Sequence, residues 1–173
     1  MITPVNITYI NAIDISGVAA EILSWDEVES AEADEMWSYV QNKDNRRWLW
    51  YAIDHNTREI LAYVFGEREL EGKNEAFAEL KALLEPFGIN TFYTDGLSTY
   101  ERNLKGFKHI IGKKNTQRIE RKNLTLRTRI KRLCRKTICF SKCQKMHDTV
   151  IGLVINILEF GLRVEGMFYR FGA

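Results

Sequence analysis

The sequence predicts an α/β domain built on a mixed sheet, three antiparallel strands followed by two parallel ones, with helices flanking it. Three observations carry this. Strand-forming runs at residues 34–40, 47–54 and 59–66 follow one another with only short polar breaks. The segments after them alternate helix, strand, helix, strand, and a long basic amphipathic stretch closes the series. Strands joined by short turns pair antiparallel, whereas strands separated by helices cross over and pair parallel. A chain of 173 residues, 45% hydrophobic and 28% charged, is long enough for one substantial core and ordinary for a globular protein.

Residues 1–30 are weakly patterned and read as a lead-in segment, ahead of a main domain at 31–152 and a C-terminal helix and tail at 153–173. The first strand is Asp34-Glu-Met-Trp-Ser-Tyr-Val40. The second, Arg47-Trp-Leu-Trp-Tyr-Ala-Ile-Asp54, is rich in aromatic and aliphatic residues that suit a pleated, half-buried surface. His55-Asn-Thr-Arg58 supplies a turn and Glu59 to Gly66 the returning strand, completing a meander with Trp37, Trp48 and Trp50 in its core. Phe77, Leu80, Leu83, Leu84 and Phe87 fall on one face of a helix over 74–87, which Pro86-Phe-Gly88 ends. Thr91-Phe-Tyr-Thr-Asp95 is a short strand stopped by Gly96. Ser98 caps a short helix reaching Leu104, and residues 107–111 form a fifth strand. Thr116 opens a long helix whose Ile119, Leu126, Ile130 and Leu133 make one apolar stripe, and a last helix covers residues 146–163. This order of elements is that of the ribonuclease H-like fold, whose sheet sets the first and fourth strands side by side. The spatial arrangement is taken here by analogy.

Charge is distributed unevenly. The net charge of +2 conceals 7 Lys/Arg against 19 Asp/Glu in residues 1–101, then 16 Lys/Arg against one acid in residues 102–147. A basic block of this density suits a polyanion, because Lys/Arg contacts to phosphates release condensed counterions. A solvated basic helix is the plain alternative, and the lone acid, Glu120, shifts the balance. No apolar run resembles a signal peptide, and residues 150–160 are too short to span a bilayer. Three cysteines without export signals argue for free thiols. The expectation is a cytoplasmic, nucleoid-associated protein without membrane contact.

If the first and fourth strands are neighbours, Asp34 and Asp95 face each other, with Asp95 at the carboxyl end of its strand where open α/β sheets place their sites. Glu120 lies near the start of the long helix that passes that edge. Three converging carboxylates repel one another unless divalent cations neutralise them. Magnesium, with manganese as its substitute, prefers such hard oxygen ligands and leaves positions for phosphate oxygens. A pair of these ions can activate an attacking oxygen and stabilise a leaving one. Glu120, Asn123 and Arg127 share a helix face. With Arg118, Arg121, Lys122, Arg129, Lys131 and Arg132 the polar members of this segment are candidates for gripping DNA while Glu120 reaches the ion. Taken singly, Asp34 as a strand-edge solubiliser, Asp95 as a turn residue and Glu120 as a salt-bridge partner are equally good readings.

Asp34-Glu-Met-Trp-Ser38, Tyr93-Thr-Asp95-Gly96 and the stretch from Thr116 to Leu133 around Glu120 resemble the transposases of the insertion-sequence-one family. The strings Arg135 to Lys142 and Met146-His-Asp148 are similar to it too, and the resemblance covers residues 32–152. It implies a DDE transposase that cuts DNA at element ends and joins the 3′-hydroxyl to target DNA. Its catalytic and metal-binding triad would be Asp34, Asp95 and Glu120, with Arg127 as the basic residue seven positions on. It also implies element ends and target DNA as partners and a homo-oligomer on DNA. The family's active enzyme typically carries an N-terminal zinc-binding helix-turn-helix region. This chain opens at Met1 without one, so an upstream-frame protein of that kind is an expected partner. Two alternatives stay open: a ribonuclease H-like nuclease that only hydrolyses, and a non-catalytic DNA-binding product that modulates the full-length transposase.

Other signals weigh less. Cys134, Cys139, Cys143 and His147 form a series unlike the paired knuckles of structural zinc sites, so zinc is disfavoured. Asp54 rivals Asp34 as the first acid, but its place before His-Asn-Thr suits a turn cap.

Overall fold

The computed structural model describes residues 28–68 and 74–160; most of the lead-in and the tail beyond residue 160 lie outside the described residues. Five strands form one sheet. β1 (Ser30–Tyr39) pairs antiparallel with β2 (Arg46–Asp54), and β2 with β3 (Ile60–Gly66). β1 also pairs parallel with β4 (Thr91–Thr94), which pairs parallel with β5 (Lys108–Ile111), giving the order β3-β2-β1-β4-β5. This is the expected ribonuclease H-like arrangement, with the first and fourth strands adjacent.

The strands alternate their side chains between two helical layers. Glu32, Asp34 and Ser38 of β1 bond to α3 (Gln117–Arg129) and α4 (Gln144–Phe160) on one face. On the other face Glu35 meets Tyr100 of α2 (Ser98–Asn103), and Trp50 packs on Phe77 of α1 (Glu75–Leu84). Asn74 caps α1 by accepting from the Phe77 amide at 2.8 Å, and Gly88, in the left-handed region at φ 63°, turns the chain out after Pro86. Phe77, Leu80, Leu84 and Phe87 are buried as the spacing predicts. At the end of β3 the backbone passes so close to α1 that a Cβ on Gly66 would collide with that of Ala76.

Several expectations are corrected. β1 starts at Ser30 rather than Asp34: Ser-Ala-Glu-Ala has weak strand propensity, but a central position paired on both edges overrides it. Ser98 makes no cap bond; instead Asp95 Oδ1 accepts the Leu97 amide at 3.0 Å and turns the chain into α2. α3 ends at Arg129. Ile130 is extended, and Leu133 sits on a separate turn of 3-10 helix, yet both are buried. The apolar side chains of the stripe thus stay in the core although the helix itself has ended. Of the three tryptophans among the described residues only Trp50 is fully buried; Trp37 and Trp48 are half-covered, each beneath an arginine guanidinium about 5 Å from the ring centre. The last helix begins at Gln144, two residues before the expected start, with Ile155 and Asn156 buried.

Candidate active site

The site forms where the sheet splits. Pairing of β1 with β4 stops at Glu32 and Tyr93, so β1 continues with an open edge while β4 ends one residue later. Asp34 lies two residues past the last pair on one side of this split and Asp95 two residues past it on the other. Such a divergence at the carboxyl end of a parallel strand is where α/β sheets leave a crevice. Asp34, Glu35 and Asp95 each bring a carboxylate oxygen within 4.8 Å of the others.

Each carboxylate is held differently. Asp34 Oδ1 accepts from the Glu35 amide at 2.8 Å, and Oδ2 accepts from Asn123 Nδ2 at 2.6 Å. Asn123 Oδ1 in turn accepts from the Tyr51 hydroxyl at 2.7 Å, and that hydroxyl is also 3.2 Å from the Ile119 carbonyl. Tyr51 is wholly buried and stands opposite Asp34 across the β1–β2 ladder. It therefore fixes which way the Asn123 amide faces, and the amide fixes Asp34. On the other side Glu35 Oε2 accepts from the Tyr100 hydroxyl at 2.7 Å, with Arg68 3.4 Å from Oε1. Asp95 is exposed, and its Oδ1 accepts the bond from the Leu97 amide.

Burial pushes the Asp34 carboxyl up to about 6, opposed by its two hydrogen bonds and reinforced by the charges of Asp95 and Glu120. Burial likewise pushes Glu35 up to about 7, with Asp34 and Asp95 adding to it and Arg68 offsetting part. Two adjacent carboxylates that resist ionisation, beside a third, are a donor set a hard divalent cation would satisfy. Asp34 and Asp95, with Glu35 or Glu120, would supply its oxygens.

Of the three predicted acids the structure brings two together. Glu120 stands outside the group, exposed on the first turn of α3, although its charge still acts on Asp34. Glu35 was missed by the sequence reading, because neighbours in a strand normally point to opposite faces. Here the edge is open, and both carboxylates reach around it.

Glu32 was missed as well. Its side chain is fully buried; Oε2 accepts from the Ile119 amide at 2.9 Å and Oε1 lies 2.8 Å from His55 Nδ1. Thr116, at the head of α3, offers no side-chain cap, so a strand carboxylate caps the helix that carries Glu120 and Asn123. His55 stacks on Tyr93 with ring centres 4.5 Å apart, tying the turn after β2 to β4.

The candidate DNA contacts divide by environment. Arg121, Arg129 and Lys131 are exposed, and Arg118 and Arg127 are half-buried. Arg132 donates to Ser141 Oγ at 2.8 Å. Lys122 pairs with Glu159 of α4 at 2.9 Å and Asn123 holds Asp34, so both are engaged inside the protein. Asp54 caps its turn, accepting from the Asn56 amide at 2.7 Å and the Thr57 hydroxyl at 3.1 Å. Cys139 and Cys143 are exposed while His147 is buried against Ser38 at 2.8 Å, and among the described residues the cysteines join no ligand cluster. No helix among the described residues is long and apolar enough to cross a membrane.

Comparison with known proteins places this geometry. A solved structure, that of the simian T-cell lymphotropic virus intasome in complex with PP2A regulatory subunit B56 gamma, superposes with a TM-score of 0.55 at 16% identity. The superposition covers 78% of this chain and 50% of that one, which shows the fold. The chain is 52% identical over 125 residues to the insertion element iso-IS1n protein InsB of Shigella dysenteriae, covering 72% of this chain and 92% of that protein. To the insertion element IS1 9 protein InsB of Escherichia coli K12 it is 45% identical over 135 residues, 78% of each. The IS1 transposase family model matches residues 28–161, the stretch that contains the whole sheet and every acid of the site, and the chain belongs to that family.

Proposed function

We propose that the chain is a magnesium-dependent polynucleotidyl transferase that cleaves DNA at insertion-sequence ends and joins the freed 3′-hydroxyl to target DNA. One observation carries this reading most: carboxylates from two strands, remote in sequence, converge at the split between β1 and β4, beside a helix that presents Arg121 and Arg129 to solvent. Magnesium bound there would polarise the scissile phosphate and activate the attacking oxygen, as one- and two-ion sites do in in-line phosphoryl displacement. The chain's own residues do the rest. Asn123, oriented by Tyr51, keeps Asp34 turned into the crevice, and Tyr100 does the same for Glu35. Arg121, Arg129 and Lys131 supply positive charge for the phosphates flanking the reacting one. Glu120 is the third acid of the proposed triad, and its exposed side chain has the freedom to turn toward Asp34. The setting of this work is proposed to be the cytoplasm, on DNA, with further copies of the chain and a separate end-recognising partner.

A strand-transfer assay with a pre-cut 3′-hydroxyl end tests the proposal. Asp34→Asn, Asp95→Asn and Glu120→Gln are each expected to lose at least roughly 100-fold in joining, more than the loss of a supporting partner to a metal ligand, while still binding DNA. Retained joining in Glu120→Gln with loss in Glu35→Gln would move the third role to Glu35. The position of Glu120 outside the acid group favours one rival, a non-catalytic DNA-binding product. Wild-type chain that binds DNA but neither cleaves nor joins it, with no stabilisation by magnesium, would establish that rival.

A further inference from the structure

We infer that the loop between the turn at Leu133 and α4 is a second DNA-contacting element, in which Ile138 wedges between base steps of the duplex a short distance from the acidic crevice. This rests on the reading that the chain handles DNA. Ile138 is 93% exposed, although isoleucine is among the residue types most often buried. The exposure does not come from a loose segment. The Tyr39 hydroxyl donates to the Thr137 carbonyl at 2.8 Å, just before Ile138, and the Cys139 amide donates to Thr137 Oγ1 at 2.9 Å, just after it. Phe140 packs on the Tyr39 ring, and the Gln41 amide and side chain donate to the carbonyls of Ser141 and Lys142, both at 2.8 Å. The loop is thus fastened to the end of β1 on both sides of an aliphatic side chain that it holds out in water.

Charge selects the occupant. Exposed Arg135 and Lys136 precede Ile138, exposed Lys142 and Lys145 follow it, and no acid occurs between Glu120 and Asp148. An apolar tip ringed by cations fits the stacked bases of a duplex whose phosphates line the groove, the arrangement by which apolar side chains unstack a base step. The geometry agrees. Asp34 and Tyr39 are five residues apart on one strand, about 17 Å at the rise of a β-strand. That is roughly five base pairs of duplex, so DNA laid along β1 and α3 with a phosphate at the acids meets the loop about half a helical turn away.

The test uses the full chain and short duplexes with 2-aminopurine placed singly at successive positions. Fluorescence is expected to rise several-fold at one position with wild type and equally with Asp34→Asn. Ile138→Ser, which alters only an exposed side chain, should abolish the rise and weaken binding roughly 10-fold, the scale of burying one aliphatic side chain, without changing the salt dependence. Lys136→Ala should lower the salt slope by about 1. A duplex bound at saturation with no rise at any position overturns the wedge, as does a rise that survives Ile138→Ser. So does an Ile138→Ser chain that differs from wild type in sedimentation without DNA, which would assign the residue to contact between copies. If wild type unstacks the base but never cleaves, the wedge stands and the transferase reading falls; if it binds no duplex, both fall.

Discussion

At the scale of single residues, the site's chemistry depends on how Asp34 is held. Removing the Asn123 amide leaves Oδ2 without its donor at 2.6 Å and shifts the buried Tyr51 hydroxyl onto the longer contact with the Ile119 carbonyl at 3.2 Å. Asn123→Ala is therefore expected to lower strand transfer by about 10–100-fold, the usual effect of losing a ligand's supporting partner, with DNA affinity nearly unchanged. A large fall in affinity instead would return Asn123 to the DNA-contacting set. The titration of Asp34 gives an independent handle. Its pKa rises on folding from 3.8 to about 6, so the folded chain holds that proton more tightly than the unfolded one. Its contribution to stability is lost as pH rises through that window, and above it the buried charge costs about 2–3 kcal/mol. His147 makes the opposite demand: burial pushes it down to about 4, so its contribution is lost as pH falls below 6.5. Comparing Asp34→Asn with wild type removes the histidine from the comparison. In metal-free buffer the variant's advantage in denaturant unfolding should grow between pH 4 and 7 and then level off. A pH-independent difference would show that Asp34 is not strained by its burial.

Among elements, α3 decides the site, and its placement depends on a strand residue. Glu32 gives the first turn of α3 an acceptor from the sheet, in place of the cap that Thr116 does not provide. Glu32→Ala leaves the Ile119 amide and His55 without that carboxylate in a fully buried place, and is expected to cost about 1–3 kcal/mol. Glu32→Gln keeps an acceptor for the amide and should cost distinctly less in the same thermal unfolding measurement; equal losses would mean that the volume of the side chain matters and the cap does not. The sequence held half of this. The 3.6-residue spacing showed α3, and the buried positions of Ile119 and Leu126 followed from it. The alternation Glu32, Asp34, Met36, Ser38 also held the signal that Glu32 faces inward, since Met36 and Ser38 lie on the same buried face. It went unread because the weak strand propensity of Ser-Ala-Glu-Ala puts Glu32 ahead of the strand that begins at Asp34, and its partners are 23 and 87 residues away. The end of α3 was illegible for a related reason: Ile130 and Leu133 continue the helical stripe, and only the tertiary position of the core shows that the chain leaves the helix to bury them.

For the whole molecule, the sheet order was legible because short polar turns demand antiparallel pairing and intervening helices demand parallel crossovers, whatever the side chains. The meeting of Asp34 with Asp95 followed from that order. The exclusion of Glu120 from the acid group and the entry of Glu35 did not, since both depend on how far β1 outruns β4. The same distinction between pattern and placement applies to the basic block. Charge alone assigned every cation of 118–132 to DNA, but Lys122 is bound to Glu159, and Arg132 to Ser141. Among the described residues seven exposed cations remain from α3 onward: Arg121, Arg129, Lys131, Arg135, Lys136, Lys142 and Lys145. If five to seven of them neutralise phosphates, the logarithm of the binding constant should fall against the logarithm of salt with a slope of about −5 to −6. Arg129→Ala should reduce that slope by about 1, whereas Lys122→Ala should leave it unchanged and lower stability instead, by taking the cation from half-buried Glu159, which keeps its bond from the Ile60 amide. Fluorescence anisotropy across a salt series distinguishes them. A slope near zero would mean that this face does not meet a polyanion, and an equal effect of the two variants would mean that the Lys122–Glu159 pair opens when DNA binds.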